Sequence, residues 1–310
     1  MIKKILKKSP LIVFLVRKVV QWKNTYILNT DIKKEKFISY KFKKKVGRDI
    51  DFSKIPETFS EKIQFRKLYD NNPLYSVCAD KYRVREYVKE KIGEEYLVPL
   101  YLVTDKLTEE QWKKLPKAFV IKPNHDSATV TIVKDKEKVN RKKIIQNINR
   151  ALKIDYGIVS MEKYYSDIKE RKIIVEKFLE NKGEIDLKDY KFFCFSGKVK
   201  YCQLIKNRSK RETIDFYDEN WKKQEFSGLS VTEISKNIEE KPKNYELMKK
   251  LAEKLAENFD FVRIDFYNVE DKIYFGEITF CPASGFGKFI PEKWNYIIGD
   301  LWKQKDLRRK

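Results

Sequence analysis

One histidine, His125, stands in 310 residues, and the four cysteines, Cys78, Cys194, Cys202 and Cys281, never fall at CxxC spacing. A zinc cluster needs several such ligands together and is hard to assemble here, and free thiols in a reducing cytoplasm are the expected state. Long apolar runs are missing from the N-terminal stretch: Leu11 to Val16 is closed by Arg17 and Lys18. That run is too short to span a bilayer, and no small-residue cleavage site follows it. Negative charge is in deficit, with 46 Asp+Glu against 68 Lys+Arg and a net charge of +22. Such a balance calls for an anionic partner, whether nucleic acid, phosphorylated small molecule, acidic glycan or membrane surface.

What is present is enough for a core, since 42% of the residues are hydrophobic and 14% aromatic. The basic excess is uneven: residues 1–46 hold fourteen Lys/Arg against Asp31 and Glu35, or +12 of the total. Leu11, Leu15, Val16, Val19 and Trp22 fall on one side of a basic helix, which suits either an anionic membrane surface or docking on the protein itself. Residues 31–50 read as a charge-dense connector without a period. Two helical stretches follow, SEKIQFRKLYD with Ser60 as its cap and PLYSVCADKYRVREYVKEKIG closing at Gly93. Further on, AFVIKP, the alternating segment after NHDSA, KIIVEKFLE, a hairpin turning at Ser196–Gly197 and ETIDFYD read as strands, whereas RKKIIQNINRALK and YELMKKLAEKLAENF read as helices. Antiparallel hairpins with a few covering helices predict an α+β fold.

FVRIDFYNVEDKIYFGEITF, residues 261–280, carries the chemistry. Side chains alternate along a strand, so Arg263 and Asp265 share one face, as do Glu277 and Thr279 on the second strand. A turn at Asn268 to Lys272 that sets Asp265 opposite Glu277 brings Arg263 opposite Thr279 and all four onto one surface. Two adjacent carboxylates repel unless a proton or cation lies between them, and hard oxygen ligands suit Mg2+ bridging to phosphate. The alternative is a plain exposed face with Asp265 paired to Arg263. Lys122, in a strand expected to be buried, and Lys191, ahead of FFCF, would with Arg208 clamp a triphosphate, the lysines as point charges and the arginine as a fork.

The ordered pieces PETFSEKIQFRKLYD, DKYRVREYV, FVIKPNH, IIVEKFLE, DYKFFCFSG and FVRIDFYNVEDKIYFGEITFCPASGFGKF resemble the TupA-like branch of the ATP-grasp superfamily, over roughly residues 55–303. The resemblance implies two α+β subdomains with antiparallel sheets gripping a nucleotide, plus an N-terminal helical extension. The segments would be 1–50 (basic helix and connector), 51–117 (helical preface), 118–180 (subdomain A) and 181–305 (subdomain B). It implies ATP and Mg2+ as cofactors: Lys122 and Lys191 on the phosphates, Glu176, Phe178 and Leu179 beside adenine, Asp265, Glu277 and Thr279 at the metal, Arg263 on the phosphates. His125 is a candidate base or phosphate contact, and Lys288, in the loop PASGFGKF, a candidate for the acceptor pocket. One departure stands out. The family pattern Lys-x-Asn-His-Gly-Ser-Gly is Lys122, Asn124, His125, Asp126, Ser127, Ala128 here, so both glycines of the phosphate-covering loop are replaced and a negative charge enters it.

Three functions compete. An ATP-dependent ligase would phosphorylate a carboxylate and pass the acyl group to an amine, acting in surface polysaccharide assembly on an acidic or lipid-linked glycan, in the cytoplasm or at the inner face of the membrane, with a peripheral contact through residues 1–46. A glycosyltransferase would hold a sugar nucleotide with the same groups; the DxD of Asp49 and Asp51 lies in the connector, ahead of the fold. A non-catalytic nucleotide- or glycan-binding module is the third. No nucleic acid is expected, because the excess charge lies in the N-terminal stretch without an aromatic RNA-binding signature or recognition helix.

Overall fold

The computed structural model of the chain describes residues 9–127, 129–229 and 234–307. They form two compact units whose ranges interleave: one takes the chain up to Lys34, Asn71–Val84 and Val98–Phe178, the other Glu35–Asp70, Arg85–Leu97 and the chain from Leu179. The expected 51–117 preface is therefore divided between both units, and it contains a strand, Leu100–Thr104.

The first unit is built on an antiparallel sheet of β1 (Leu100–Thr104), β2 (Phe119–Pro123), β3 (Thr131–Val133) and β4 (Ile173–Lys177), in the order β1-β4-β2-β3. Alternation sends Phe119 and Ile121 to one face, where Val133, Ile173 and Val175 join Trp112, Leu115, Ile145 and Ile148 in a closed core. Burying a side chain such as Phe119 or Ile121 there contributes about 2 kcal/mol. Ile145 and Ile148 come from the helix Arg141–Ala151, whose N-terminus is capped by Asn140 Oδ1 accepting from the Lys143 N–H at 3.0 Å. Lys122 and Glu176 fall on the opposite face of the sheet, along with Val120 and Ile174.

The second unit carries β5 (Asp189–Phe195), β6 (Lys198–Lys206), β7 (Thr213–Asp218), β8 (Ser227–Gly228), β9 (Phe261–Val269), β10 (Lys272–Thr279) and β11 (Phe289–Ile290). Five of them make an antiparallel sheet in the order β10-β9-β5-β6-β7, while β8 pairs with β11. Two-residue turns close its hairpins at Ser196–Gly197 and Glu270–Asp271, all four with positive φ, the backbone that matches strand twist. One face, with Phe192, Cys194, Ile264 and Phe266, is covered by the helix Tyr245–Ala256 through Met248, Leu251, Ala252 and Leu255. Of the expected stripe Leu247, Leu251 and Leu255, Leu247 points to solvent. On the other face Phe193, Phe195 and Phe261 cluster around Phe59, whose ring centroid is 4.9 Å from that of Phe261.

Three local expectations change. The helix Phe59–Tyr69 is capped by Thr58, not Ser60: Thr58 Oγ1 accepts from the Glu61 N–H at 3.3 Å and Glu61 Oε2 from the Thr58 N–H at 2.9 Å. The stretch 73–93 is two helices, Leu74–Ala79 and Val84–Lys91, because Asp80 between them accepts from the N–H groups of Tyr82 and Arg83. The supposed connector is the helix Asp31–Val46, anchored by Ile38 and Phe42, both fully buried. Among the described residues Asp49 and Asp51 make local contacts, Asp49 with Lys43 and Asp51 with Ser53 and Lys54.

Candidate functional site: a chain of paired charges in the second unit

Glu277 lies opposite Asp265 and Thr279 opposite Arg263, as the hairpin reading expected. The pairing is reached by a bulge, however. Phe275 pairs with Phe266 and Glu277 with Asp265, leaving Gly276 as an extra residue in β10. Without it, Glu277 would share the face of Phe275 and point among the apolar side chains. A Cβ at Gly276 would come within 3.0 Å of the Asp265 carbonyl oxygen and 3.3 Å of the Tyr267 ring, so glycine suits the position.

Arg263 is the centre of the cluster. Its Nε and one terminal nitrogen reach the two oxygens of Asp265 at 2.7 Å each, and that nitrogen also donates to Glu277 Oε1 at 2.9 Å and Thr279 Oγ1 at 3.0 Å. Thr279 in turn donates to Glu277 Oε1 at 3.1 Å. Burial works against the guanidinium charge, but Asp265 and then Glu277 more than compensate and raise its pKa. Lys191, opposite Asp265 across β5 and β9, donates to Asp265 Oδ2 and lies 3.5 Å from Asp189. Arg208 Nε pairs with Asp189 Oδ2 at 2.9 Å. Burial pushes the Asp189 carboxyl up, with Lys191 and Arg208 pulling it back. A continuous line of charge thus runs Arg208, Asp189, Lys191, Asp265, Arg263, Glu277. Its middle is buried, and its ends open to solvent, with Glu277 35% and Arg208 47% exposed.

Sequence reasoning missed Asp189 and Gly276. Asp189 stands two residues before Lys191 on the same strand face, a signal in plain view. The Gly276 bulge shows as a slip in alternation, with apolar residues at 273 and 275 and then at 278 and 280.

In the first unit, Lys122 Nζ pairs with Glu176 Oε2 at 2.6 Å, both side chains mostly buried. Phe178 and Leu179 are half-buried where the chain leaves this unit for the other, and Lys134 Nζ lies 5.7 Å from the Phe178 ring centre.

His125 is fully buried, and its Nε2 lies 3.0 Å from the Ile154 carbonyl oxygen, to which it can only donate. Its Nδ1 is buried and meets no hydrogen-bond partner among the described residues, and burial lowers the pKa of the ring. That placement opposes the role of base or phosphate contact and makes His125 a neutral internal residue. Asp126 is also buried, and its charge is answered internally. Arg17 donates to Asp126 Oδ2 at 3.2 Å and to Thr129 Oγ1 at 2.9 Å, the Thr129 N–H donates to Asp126 Oδ1 at 3.0 Å, and Lys81 holds the Asp126 carbonyl. The acid that replaces a glycine therefore fastens this loop to the N-terminal helix. Ala128, the other replacement, lies outside the described residues.

Lys288 is exposed ahead of β11, its carbonyl accepting from the Leu229 N–H at 2.9 Å. The loop that precedes it is tied to the helix Phe59–Tyr69, Gln64 and Lys67 donating to Ser284.

The Mg2+ expectation can be tested on the donor set. Among the described residues no three of His, Cys, Asp and Glu gather as a metal cage. Mg2+ is commonly held by one or two carboxylates with substrate phosphate and water completing the shell, and the facing Asp265 and Glu277 fit that demand. Arg263 now spans both carboxylates, so a divalent ion would compete with the guanidinium.

The structure thus holds two α+β units, one bearing a buried line of alternating cations and carboxylates on a sheet face. The family model described as TupA-like ATPgrasp matches residues 61–303, most of the chain, and the protein belongs to the TupA-like ATP-grasp family. Among curated proteins it is similar to the D-alanine–D-alanine ligase of Sulfurimonas denitrificans, 28% identical over 177 residues, 55% of this chain and 42% of that protein. The ligase of Campylobacter lari is 25% identical over 156 residues, 47% of this chain and 41% of that protein. The chain thus spans about two-fifths of the length of these curated relatives. Among solved structures it is similar to the D-alanine–D-alanine ligase of Bacillus anthracis, with 17% identity, a TM-score of 0.43, and coverage of 75% of this chain and 68% of that one. No helix among the described residues is long and apolar enough to cross a membrane.

Proposed function

We propose that the protein is an ATP-dependent carboxylate–amine ligase. The observation that carries this reading is the convergence of Lys191, Arg263, Asp265 and Glu277 on one buried sheet face, in a family whose curated relatives include D-alanine–D-alanine ligases. Lys191 and Arg263 would take phosphoryl oxygens. Asp265 and Glu277 would hold Mg2+, which when bound neutralises charge on the phosphates. The substrate carboxylate attacks the terminal phosphorus of ATP, forming a C–O–P link as the bond to ADP breaks. An amine then attacks the acyl carbon, the C–O bond breaks to release phosphate, and the amine loses a proton. The positive groups act by stabilising charge that accumulates on the transferred phosphoryl oxygens.

The acceptor we infer is a carboxylate on an acidic or lipid-linked bacterial surface glycan, a choice supported by the net charge of +22 and by the resemblance to the TupA-like family. A glycosyltransferase is the second reading, in which the same cations and carboxylates would hold a sugar-nucleotide diphosphate through a metal. A thermal-shift panel separates them. Stabilisation by ATP with Mg2+ and none by UDP- or CMP-sugars supports the ligase, since a ligand at about a hundred times its Kd adds about 2.7 kcal/mol. The reverse pattern replaces it with the transferase.

A further inference from the structure

The helix Pro10–Tyr26 is amphipathic in an unusual sense, because its polar side faces its own protein. Arg17 reaches Asp126 and Thr129, Gln21 Oε1 accepts from the Asp155 N–H at 3.0 Å, Asn24 donates to the Ile158 carbonyl at 2.8 Å, and Lys18 donates to the Lys153 carbonyl at 2.6 Å. These four anchors fix the rotation of the helix, and the side they leave outward is apolar. Leu11, Leu15, Val19, Trp22 and Tyr26, spaced by four, four, three and four residues, form a stripe with exposures of 45, 52, 65, 59 and 66%, and Val16 beside it is 55% exposed. A run of large apolar side chains held in water by polar anchors behind it marks an interaction surface, whereas scattered exposed leucines would not.

Charge decides the partner. Arg17 is neutralised by Asp126, but Lys18 and Lys23 keep their charge on a helix that has no acidic residue, and the chain as a whole carries +22. A second copy docked stripe to stripe would oppose like charges along its length, whereas an anionic surface would complement them. Trp22 and Tyr26, with ring centroids 5.9 Å apart, lie toward one end of the stripe, and such rings favour the boundary between headgroups and acyl chains. The helix does not meet the length and hydropathy of a membrane span, so it would lie in the plane of the surface.

We propose that the outward stripe of the helix Pro10–Tyr26 docks on an anionic lipid bilayer, inserting Leu15, Val19 and Trp22 while Arg17, Gln21 and Asn24 keep the helix on the protein. Membrane binding then needs no release of the helix, and Asp126 and Thr129, fastened to it through Arg17, remain fastened in the bound state.

The test is co-sedimentation of the full chain with vesicles of phosphatidylglycerol mixed into phosphatidylcholine, and with phosphatidylcholine alone. Binding to the anionic vesicles is expected to weaken with salt and to fall about tenfold or more in Val19→Glu/Trp22→Glu. Leu15→Gln/Val19→Gln, which leaves the charge unchanged, is expected to weaken it in the same direction. All these positions are exposed, so unchanged circular dichroism and melting temperature would verify the fold. Failure of the wild-type chain to bind anionic vesicles, equal binding to neutral ones, or binding that survives both double variants would overturn the proposal. So would sedimentation equilibrium showing a dimer that the same variants dissociate, which would assign the stripe to a second copy. None of these outcomes depends on nucleotide binding.

Discussion

Each unit places a lysine on a sheet face and answers it with a carboxylate, but the two arrangements differ in kind. Lys122 and Glu176 are a single pair at 2.6 Å. Lys191 belongs to a line in which Asp265 is shared with Arg263 and Asp189 with Arg208. In a pair, deleting one partner strands one charge. In a shared line it strands charges on both sides, so losing a buried middle member costs more than breaking the pair, and losing an exposed end member costs little. The line is therefore a set of charged groups holding one another in place, and these are the groups to which the proposed function assigns phosphate and metal.

That contrast can be broken in graded steps. Asp265→Ala leaves Lys191 and Arg263 buried against each other, and a loss of about 3–5 kcal/mol is expected in urea unfolding. Gly276→Val forces a Cβ against the Asp265 carbonyl and works against the bulge that turns Glu277 to the charged face; about 1–3 kcal/mol is expected by the same measurement, with loss of any stabilisation by ATP and Mg2+. Glu176→Gln keeps an acceptor for Lys122 and removes the charge, so a smaller cost of about 1–2 kcal/mol is expected. His125→Asn acts mainly on pH dependence. The folded ring has a pKa below the ordinary 6.5, for its burial disfavours the proton and Arg171 and Lys81 oppose it, against the pull of the Ile154 carbonyl and Asp126. The unfolded chain therefore takes up a proton that the folded one resists, and stability falls as pH drops below 6.5, by at most about 1.4 kcal/mol per pH unit. Urea melts across that range should show a shallower fall for the variant than for the wild-type chain.

The strand pairing was readable because Arg263, Asp265, Glu277 and Thr279 obey a period of two within each strand, and the polar turn restricts the register. The bulge leaves only a slip of that period, from apolar residues at 273 and 275 to 278 and 280, which the register taken from the turn conceals. Asp189 was legible as an acid on the same strand face as Lys191, two residues away. The role of Asp126 lay beyond any local reading: its partner Arg17 is 109 residues distant, and only tertiary structure converts a misplaced acid into a fastening. His125 shows the opposite error, a lone titratable residue beside a motif that burial assigns to the interior. The helix Asp31–Val46 was hidden by its lysines, with Ile38 and Phe42 alone marking the buried side.

The most direct test of the charged line is equilibrium binding of ATP, measured by calorimetry with and without Mg2+, for the wild-type chain and for Glu277→Gln. Metal-dependent binding by the wild type, weakened about tenfold or more in Glu277→Gln at an unchanged melting temperature, is the expected result. Binding that ignores both the metal and the substitution, or no binding by the wild type, would contradict the assignment of this sheet face to ATP and Mg2+.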